Sequence, residues 1–592
     1  MTSAHRGAPC GSRVVVIGED SSSSVVGLTA LLEEDGFQAV LCKKASTALE
    51  SLPRADAVVV EQRLPHEHLE TLLAQVVRRD PRIPIFVITP YCDTEQRLSA
   101  VDLRPRRCFS MPLVYDELVA ALHDHVVEAK LDHPPIPLDE VTPELIARLD
   151  RHGPRYTSYP TAPVFSDDFS ERDYRSALEK ASSRPFPLSI YVHLPFCRSM
   201  CAYCACNVAI RKDIGRTAGA YVKRLSREAQ MVAALVGGGR KVAELHLGGG
   251  TPNYLPRKQL ERLVSELQSA FPFAAGAVRA IEVDPRHFEE DQMRWLAGLG
   301  FTRVSLGIQD VDERVQSAIG RMQSFESTRE AFLAARAAGF DSINMDLVYG
   351  LPSQTRESFA RTLEKVIDLG PDRLAVFSFA YVPSHKPNQK KLDVSTAPRG
   401  IEKARLLLEA IGRLTDAGYV QVGMDHFARP GDPLARSLRD GSLHRNFQGY
   451  VPGPALELIG LGSTGIGDIG GCYSQNLRRL SAWERAIDEG RLPVEKGWKR
   501  SFDDEVRRAV IQALMCRFEL SFSELSESYG IDHDRYFEAA LPALGELEEQ
   551  GLVRRSEQGL FVTGLGRLFV RNIAMAYDAY LPGMRRAFSR TV

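Results

Sequence analysis

The chain has 592 residues, more than one hydrophobic core usually organises, so two to four domains are expected. Its 74 Lys and Arg nearly balance 76 Asp and Glu, giving a net charge of -2 and no general pull toward nucleic acid or an anionic membrane. The opening residues lack a signal core, no run of about 18 apolar residues offers a membrane span, and 10 cysteines are too sparse for a disulfide scaffold. A cytoplasmic enzyme with neither nucleic acid nor membrane as partner is the expected class.

Four short apolar runs, RVVVIG (13–18), QAVL (38–41), AVVV (57–60) and IFVI (85–88), alternate with amphipathic segments and predict a parallel sheet covered on both faces. This first unit, 1–125, resembles a response-regulator receiver domain, with Glu19 and Asp20 after the first strand, Leu64-Pro65 after the third, Thr89 at the fourth and Met111-Pro112 near the end. Glu61 stands where the family has its phosphorylated aspartate and Met111 where it has a lysine, so the resemblance implies a degenerate unit used for self-association, docking of a regulator, or packing. The proline-rich stretch DHPPIP (132–137) marks a linker over 126–150.

Strands are expected at 188–192, 242–247, 279–283, 303–306, 342–347 and 373–377, separated in places by helices such as 256–266 and 328–338. The pattern fits a full or partial (β/α) barrel over 151–430, with its active site at the C-terminal strand ends; periodicity alone leaves an open doubly wound sheet equally available. A glycine-rich run at 460–471 precedes helical patterns from Asp503 and Phe522 and a small hairpin near 551–563. A mostly helical domain is therefore expected over 431–592.

The densest chemistry lies at Cys197, Cys201 and Cys204, in C-x3-C-x2-C spacing, with Cys206 two residues on. Thiolates are soft ligands for iron–sulfur centres, and three of them leave one iron of a four-iron cluster open. A zinc site or buried structural thiols would leave the aromatic residues around this loop and the later motifs unexplained.

Those motifs are GPRYTSYPTA (153–162), YVHLPFC (191–197), LGGGTP (247–252), EVDP (282–285), GIQD (307–310), MDLVYGLP (345–352), GMDHFARP (423–430) and HRNFQGY (444–450). Together they resemble the oxygen-independent coproporphyrinogen III oxidase family (coproporphyrinogen dehydrogenases) of the radical S-adenosylmethionine (SAM) superfamily, over roughly residues 150–580. The resemblance implies a haem-biosynthetic oxidoreductase whose 5'-deoxyadenosyl radicals drive decarboxylation of coproporphyrinogen III to protoporphyrinogen IX. It implies one 4Fe-4S cluster on Cys197, Cys201 and Cys204, and two SAM sites formed by Tyr191, Gly249, Gly250, Thr251, Glu282, Gln309, Arg321, Asp346, Ala380 and Ile466. Cys206 and Tyr191 are the implied catalytic side chains. A low-potential electron donor and an electron acceptor are implied partners, and Arg155, His444 and Arg445 are candidates for the substrate's propionates. A radical SAM methyltransferase or cyclopropanating enzyme, and a non-enzymatic haem-trafficking protein, are the competing readings; Cys206 and HRNFQGY weigh against the last.

Overall fold

The structure, a computed structural model, describes residues 13–18, 23–35, 37–42, 47–48, 51, 55, 57–61, 71–76, 85–89, 107–111, 113–119, 121–122, 136–584 and 588–591. The chain forms two compact units, Met1–Pro135 and Ile136–Val592.

In the first unit β1 (Arg13–Ile17), β2 (Gln38–Cys42), β3 (Ala57–Glu61), β4 (Ile85–Thr89) and β5 (Arg107–Ser110) form a parallel sheet in the order β2-β1-β3-β4-β5. The order reverses beside β1, which sends helices to both faces, as in receiver domains. Alternate residues serve opposite faces: Val14, Val16 and Val59 join one core, whereas Val15, Val58 and Val60 join the other. That double burial explains runs without polar alternation. Glu61 is buried at the end of β3, and Met111 is exposed just beyond β5. Glu19, Asp20, Leu64, Pro65 and Pro112 lie outside the described residues.

The second unit begins with the helix Pro143–Leu149, whose Ile146 and Leu149 enter a core shared with the C-terminal helices. Residues 136–150, read from sequence as linker, therefore belong to this unit, while 126–135 lie outside the described residues. Next come β6 (Leu188–Leu194), the short pair β7 (Phe196–Cys197) and β8 (Ala209–Ile210), and β9 (Val242–Gly249), β10 (Phe273–Val283), β11 (Arg303–Gln309), β12 (Ser342–Tyr349) and β13 (Arg373–Ser378). Apart from the β7–β8 pair they lie parallel in chain order, β6-β9-β10-β11-β12-β13. Right-handed crossovers that always advance in one direction place their helices on one face, giving a partial barrel. A doubly wound sheet would require a reversal, which this order lacks. The helix Arg257–Ala270 illustrates the packing: Leu260, Leu263, Val264 and Leu267 recur at helical spacing and are buried.

The sheet continues past both barrel edges. β14 (Val420–Gly423) and β15 (His426–Ala428) add antiparallel beside β13, and β16 (His444–Asn446) pairs separately with β17 (Gly449–Val451). β18 (Glu457–Leu461) lies parallel to β6 and is followed by antiparallel β19 (Ile466–Ile469), β20 (Cys472–Asn476) and β21 (Val494–Lys499). The division expected at 430–431 thus falls within a region whose later strands extend the barrel sheet. Its glycines permit close approach: a Cβ on Gly460 would stand 2.4 Å from the carbonyl oxygen of Ile466. The mostly helical part starts at Phe502–Arg517, capped by Ser501, and encloses a small sheet of β22 (Glu519–Ser521), β23 (Val553–Arg555) and β24 (Gly559–Val562). Among the described residues no helix is long and apolar enough to cross a membrane.

Candidate active site

The cysteine loop runs between β7 and β8, which pair in parallel with Cys197 opposite Ile210. The loop is pinned from outside. Asn388 Nδ2 points at three of its carbonyls, those of Cys201 (3.3 Å), Ala202 (3.1 Å) and Cys204 (2.9 Å). Gln389 Nε2 donates to the carbonyls of Tyr203 (2.9 Å) and Ala380 (3.0 Å), and Lys386 Nζ donates to that of Cys206 (3.2 Å).

The sulfurs face donors and cations. Thr251 Oγ1 donates to Cys197 Sγ at 3.3 Å, and the guanidiniums of Arg321 and Arg286 reach Cys201 Sγ at 3.7 and 3.8 Å. Asp284 binds both arginines, at 3.1 Å to Arg321 and 2.6 Å to Arg286; against the burial that would raise it, they hold its carboxyl down to about 2. Burial pushes the Cys197 thiol up to about 11, whereas hydrogen bonding from Cys206 brings Cys204 down to about 6. Among the described residues no three His, Cys, Asp or Glu groups stand ready to grip a metal as placed. The fit to a cluster therefore rests on chemistry: three thiols on one short loop, with hydroxyl and guanidinium donors that would stabilise the negative charge of a thiolate-bound cluster.

Beside the loop the end of β9 forms a cradle. Gly249 lies at φ +111°, where an added Cβ would sit 2.5 Å from the His193 ring. Its N–H donates to Glu282 Oε2 (3.0 Å), and His246 Nε2 contacts Glu282 Oε1 at 3.1 Å. Tyr191 stacks on His246 with ring centroids 5.7 Å apart, and its hydroxyl meets His193 Nδ1 at 3.2 Å. Further along, Asp346 accepts from Ser305 Oγ (2.9 Å) and Asn344 Nδ2 (2.8 Å); burial and the nearby Glu282 charge push it up to about 6. Gln309 adopts φ +73° where the β11–β12 register shifts.

Two cavities meet here. One, of about 480 Å³, is lined by all four cysteines, by Gly249, Gly250, Thr251 and Glu282, and by Gln309, Arg321, Asp346, Ala380 and Arg155. The other, about 770 Å³, shares Cys206, Gly249 and Glu282 with the first and adds Tyr191, Ile466 and Phe447. Every proposed cluster and SAM residue therefore lines one or both. Of the substrate candidates, Arg155 lines the first cavity and is ion-paired with Asp425. His444 and Arg445 instead line a separate cavity of about 270 Å³, where Arg445 donates to the Arg155 carbonyl (3.1 Å) and stacks on Tyr450. Their residue types were readable, but the directions of their side chains were not.

The cations of the larger cavity, Lys386, Arg478 and Arg479, and the imidazoles of His193, His246 and His385 escaped the sequence reading. His193 sits within the YVHLPFC motif, which was the available signal; Lys386 and Asn388 lie in an aperiodic stretch that offered none.

Comparison with known proteins places this geometry. The Radical SAM superfamily model matches residues 191–366, and the HemN C-terminal domain model matches 501–569. The oxygen-independent coproporphyrinogen III oxidase of Pseudomonas aeruginosa is 44% identical over 452 residues, covering 76% of this chain and 98% of that protein. Its namesake in Synechocystis is 43% identical over 462 residues, covering 77% and 99% respectively. The solved structure of coproporphyrinogen III oxidase (HemN) from Escherichia coli, described as a radical SAM enzyme, shares 43% identity, with a TM-score of 0.70 over 72% of this chain and 98% of that one.

Proposed function

The chain belongs to the oxygen-independent coproporphyrinogen III oxidase family of the radical SAM superfamily, and from that premise we propose how its two joined cavities divide the reaction. The reaction is oxidative decarboxylation of coproporphyrinogen III to protoporphyrinogen IX by radical SAM chemistry, a step of haem biosynthesis. Membership implies a 4Fe-4S cluster and SAM, which supply when bound the radical that removes a hydrogen atom from substrate. Cys197, Cys201 and Cys204 are the cluster ligands in this reading, with Thr251, Arg286 and Arg321 steadying the sulfur charge.

Gly249, Gly250 and Glu282 hold one SAM beside Tyr191 and Ile466, the glycine backbone admitting the ligand and the carboxylate accepting its donors. Gln309, Arg321, Asp346 and Ala380 hold the second. Coproporphyrinogen III occupies the larger cavity, its carboxylates drawn to Lys386, Arg478 and Arg479. Arg478 is presently paired with Glu495 at 3.1 Å, so substrate must compete for it. Cys206 stands at the junction, next to both SAM and substrate. The chain works in the cytoplasm, where thiols stay reduced and a low-potential donor is available, and its first unit serves self-association or a regulator.

The carrying observation is that Cys206, Gly249 and Glu282 line both cavities, so a group activated in one reaches a substrate held in the other. Replacing Arg478 and Arg479 together by Ala is expected to raise KM for coproporphyrinogen III at least about tenfold, the cost of one lost charge-assisted contact. SAM affinity should remain unchanged. An unchanged KM would contradict this placement of substrate.

A further inference from the structure

A third cavity, about 700 Å³, holds neither SAM nor substrate in the roles above, although Ala380 of the second SAM site also lines it. It abuts both of the others: Phe379 and Ala380 line it and the cysteine-lined cavity, and His385 lines it and the larger cavity. The intervening segment is held firmly, because Gln389 accepts from Val382 N (2.6 Å) while donating to the Ala380 carbonyl (3.0 Å) and to the cysteine loop.

The cavity is aromatic and cationic. Tyr381 is 43% exposed, its ring 6.4 Å from that of Phe379, and Phe588 adds a further ring to the lining. Among the described residues its lining holds the cations Arg399, Lys403 and Arg590 and one carboxylate, Asp150, which is bound to Arg590 at 2.5 Å, while Arg399 Nη2 donates to the Val394 carbonyl (3.1 Å). Lys403 donates to the Phe379 carbonyl (3.1 Å), and burial lowers it only to about 8, so it is largely protonated at neutral pH. An aromatic body with an anionic tail matches these walls.

The reaction itself demands an electron acceptor. Removing a hydrogen atom from a propionate β-carbon leaves a carbon radical. Loss of carbon dioxide then breaks the bond to the carboxylate and forms the vinyl double bond, releasing one electron. Two rounds release two. A neutral quinone would not use Arg399 and Lys403, and a nicotinamide takes its electrons as hydride, whereas flavins accept them singly.

We propose that this cavity binds the electron acceptor, a phosphorylated flavin whose ring packs on Tyr381 and whose phosphate is held by Arg399 and Lys403. The inference rests on the decarboxylation reading. Two rounds reduce one flavin by two electrons, with two protons drawn from solvent.

The test uses the full chain, prepared anaerobically and titrated with flavin mononucleotide or riboflavin while flavin fluorescence is followed. Flavin mononucleotide should bind at least tenfold more tightly than riboflavin, and Arg399→Glu should abolish that preference without changing SAM affinity. Tyr381→Ala should weaken both flavins; both substitutions are at exposed positions, where folding is spared. During turnover, one flavin should be reduced for every two molecules of carbon dioxide. Equal affinity for the two flavins, or an Arg399→Glu variant that keeps the preference, overturns the site. Decarboxylation supported by a cell extract but not by flavin mononucleotide overturns it while leaving the reaction standing; no decarboxylation with either overturns the reaction and the flavin's role together.

Discussion

At Gly249 two constraints meet in one residue, a left-handed backbone and a His193 ring 2.5 Å from where a Cβ would lie. Gly249→Ala is expected to cost roughly 1–3 kcal/mol in strain and to weaken SAM binding at least tenfold by calorimetry, with iron content retained; full SAM affinity would show that the cradle is not the ligand's seat. Asn388 makes a different kind of contribution, since its amide carries two hydrogens for the three carbonyls it faces. Asn388→Ala should lower iron retained per chain after reconstitution, at a stability cost of about 0.5–1.5 kcal/mol per bond lost. Asn388→Asp should do worse, because it turns an acceptor toward carbonyl oxygens. The proposed ligand cysteines were legible because their spacing is local. The Asn388 clamp was not: it joins residues 184 positions apart, and nothing in an asparagine's neighbours announces such a contact.

Among the elements, the helix Gly215–Val236 is tied to the sheet extension through Glu228, which is 1% exposed. Its Oε2 accepts from Gly462 N (2.9 Å) and its Oε1 from Asn476 Nδ2 (2.6 Å), fixing the β18–β19 turn that brings Ile466 to the larger cavity. Burial pushes this carboxyl up to about 8 from an ordinary 4.5. Between those values the folded chain binds a proton that the unfolded chain does not, so stability falls as pH rises from about 4.5 to about 8. Glu228→Gln should remove a fall on the order of a few kcal/mol, seen as a flatter dependence of denaturant-unfolding free energy on pH. Parallel curves for the two proteins would refute the assignment. The barrel strands were readable because runs such as LSIYVHL are buried on both faces, whereas β18 and β19 were missed because their glycines resemble loop composition, and β20 and β21 because they carry no apolar run. The approaches of Gly460 to Ile466 and of Gly497 to the Tyr473 carbonyl show that glycine there serves sheet packing.

Across the whole molecule, the proposed cluster, SAM and substrate residues all belong to Ile136–Val592, whose cores are its own. A chain beginning at Ile136 is therefore expected to keep iron content and substrate-free SAM cleavage within about twofold of the full protein, measured by metal analysis and 5'-deoxyadenosine release; loss of either would assign the first unit a direct part in the site. That unit has the sheet order β2-β1-β3-β4-β5, with Glu61 buried at the end of β3 and Met111 exposed just beyond β5. Its strands were visible in sequence, while any partner is not, because a docking surface needs no local motif. The most direct test of the decarboxylation itself is anaerobic mass spectrometry of the tetrapyrroles formed when the reconstituted protein receives coproporphyrinogen III, SAM, a reductant and an acceptor. Stepwise loss of two carboxyl groups, ending at protoporphyrinogen IX, is the predicted result; SAM cleavage that leaves all four propionates in place would contradict it.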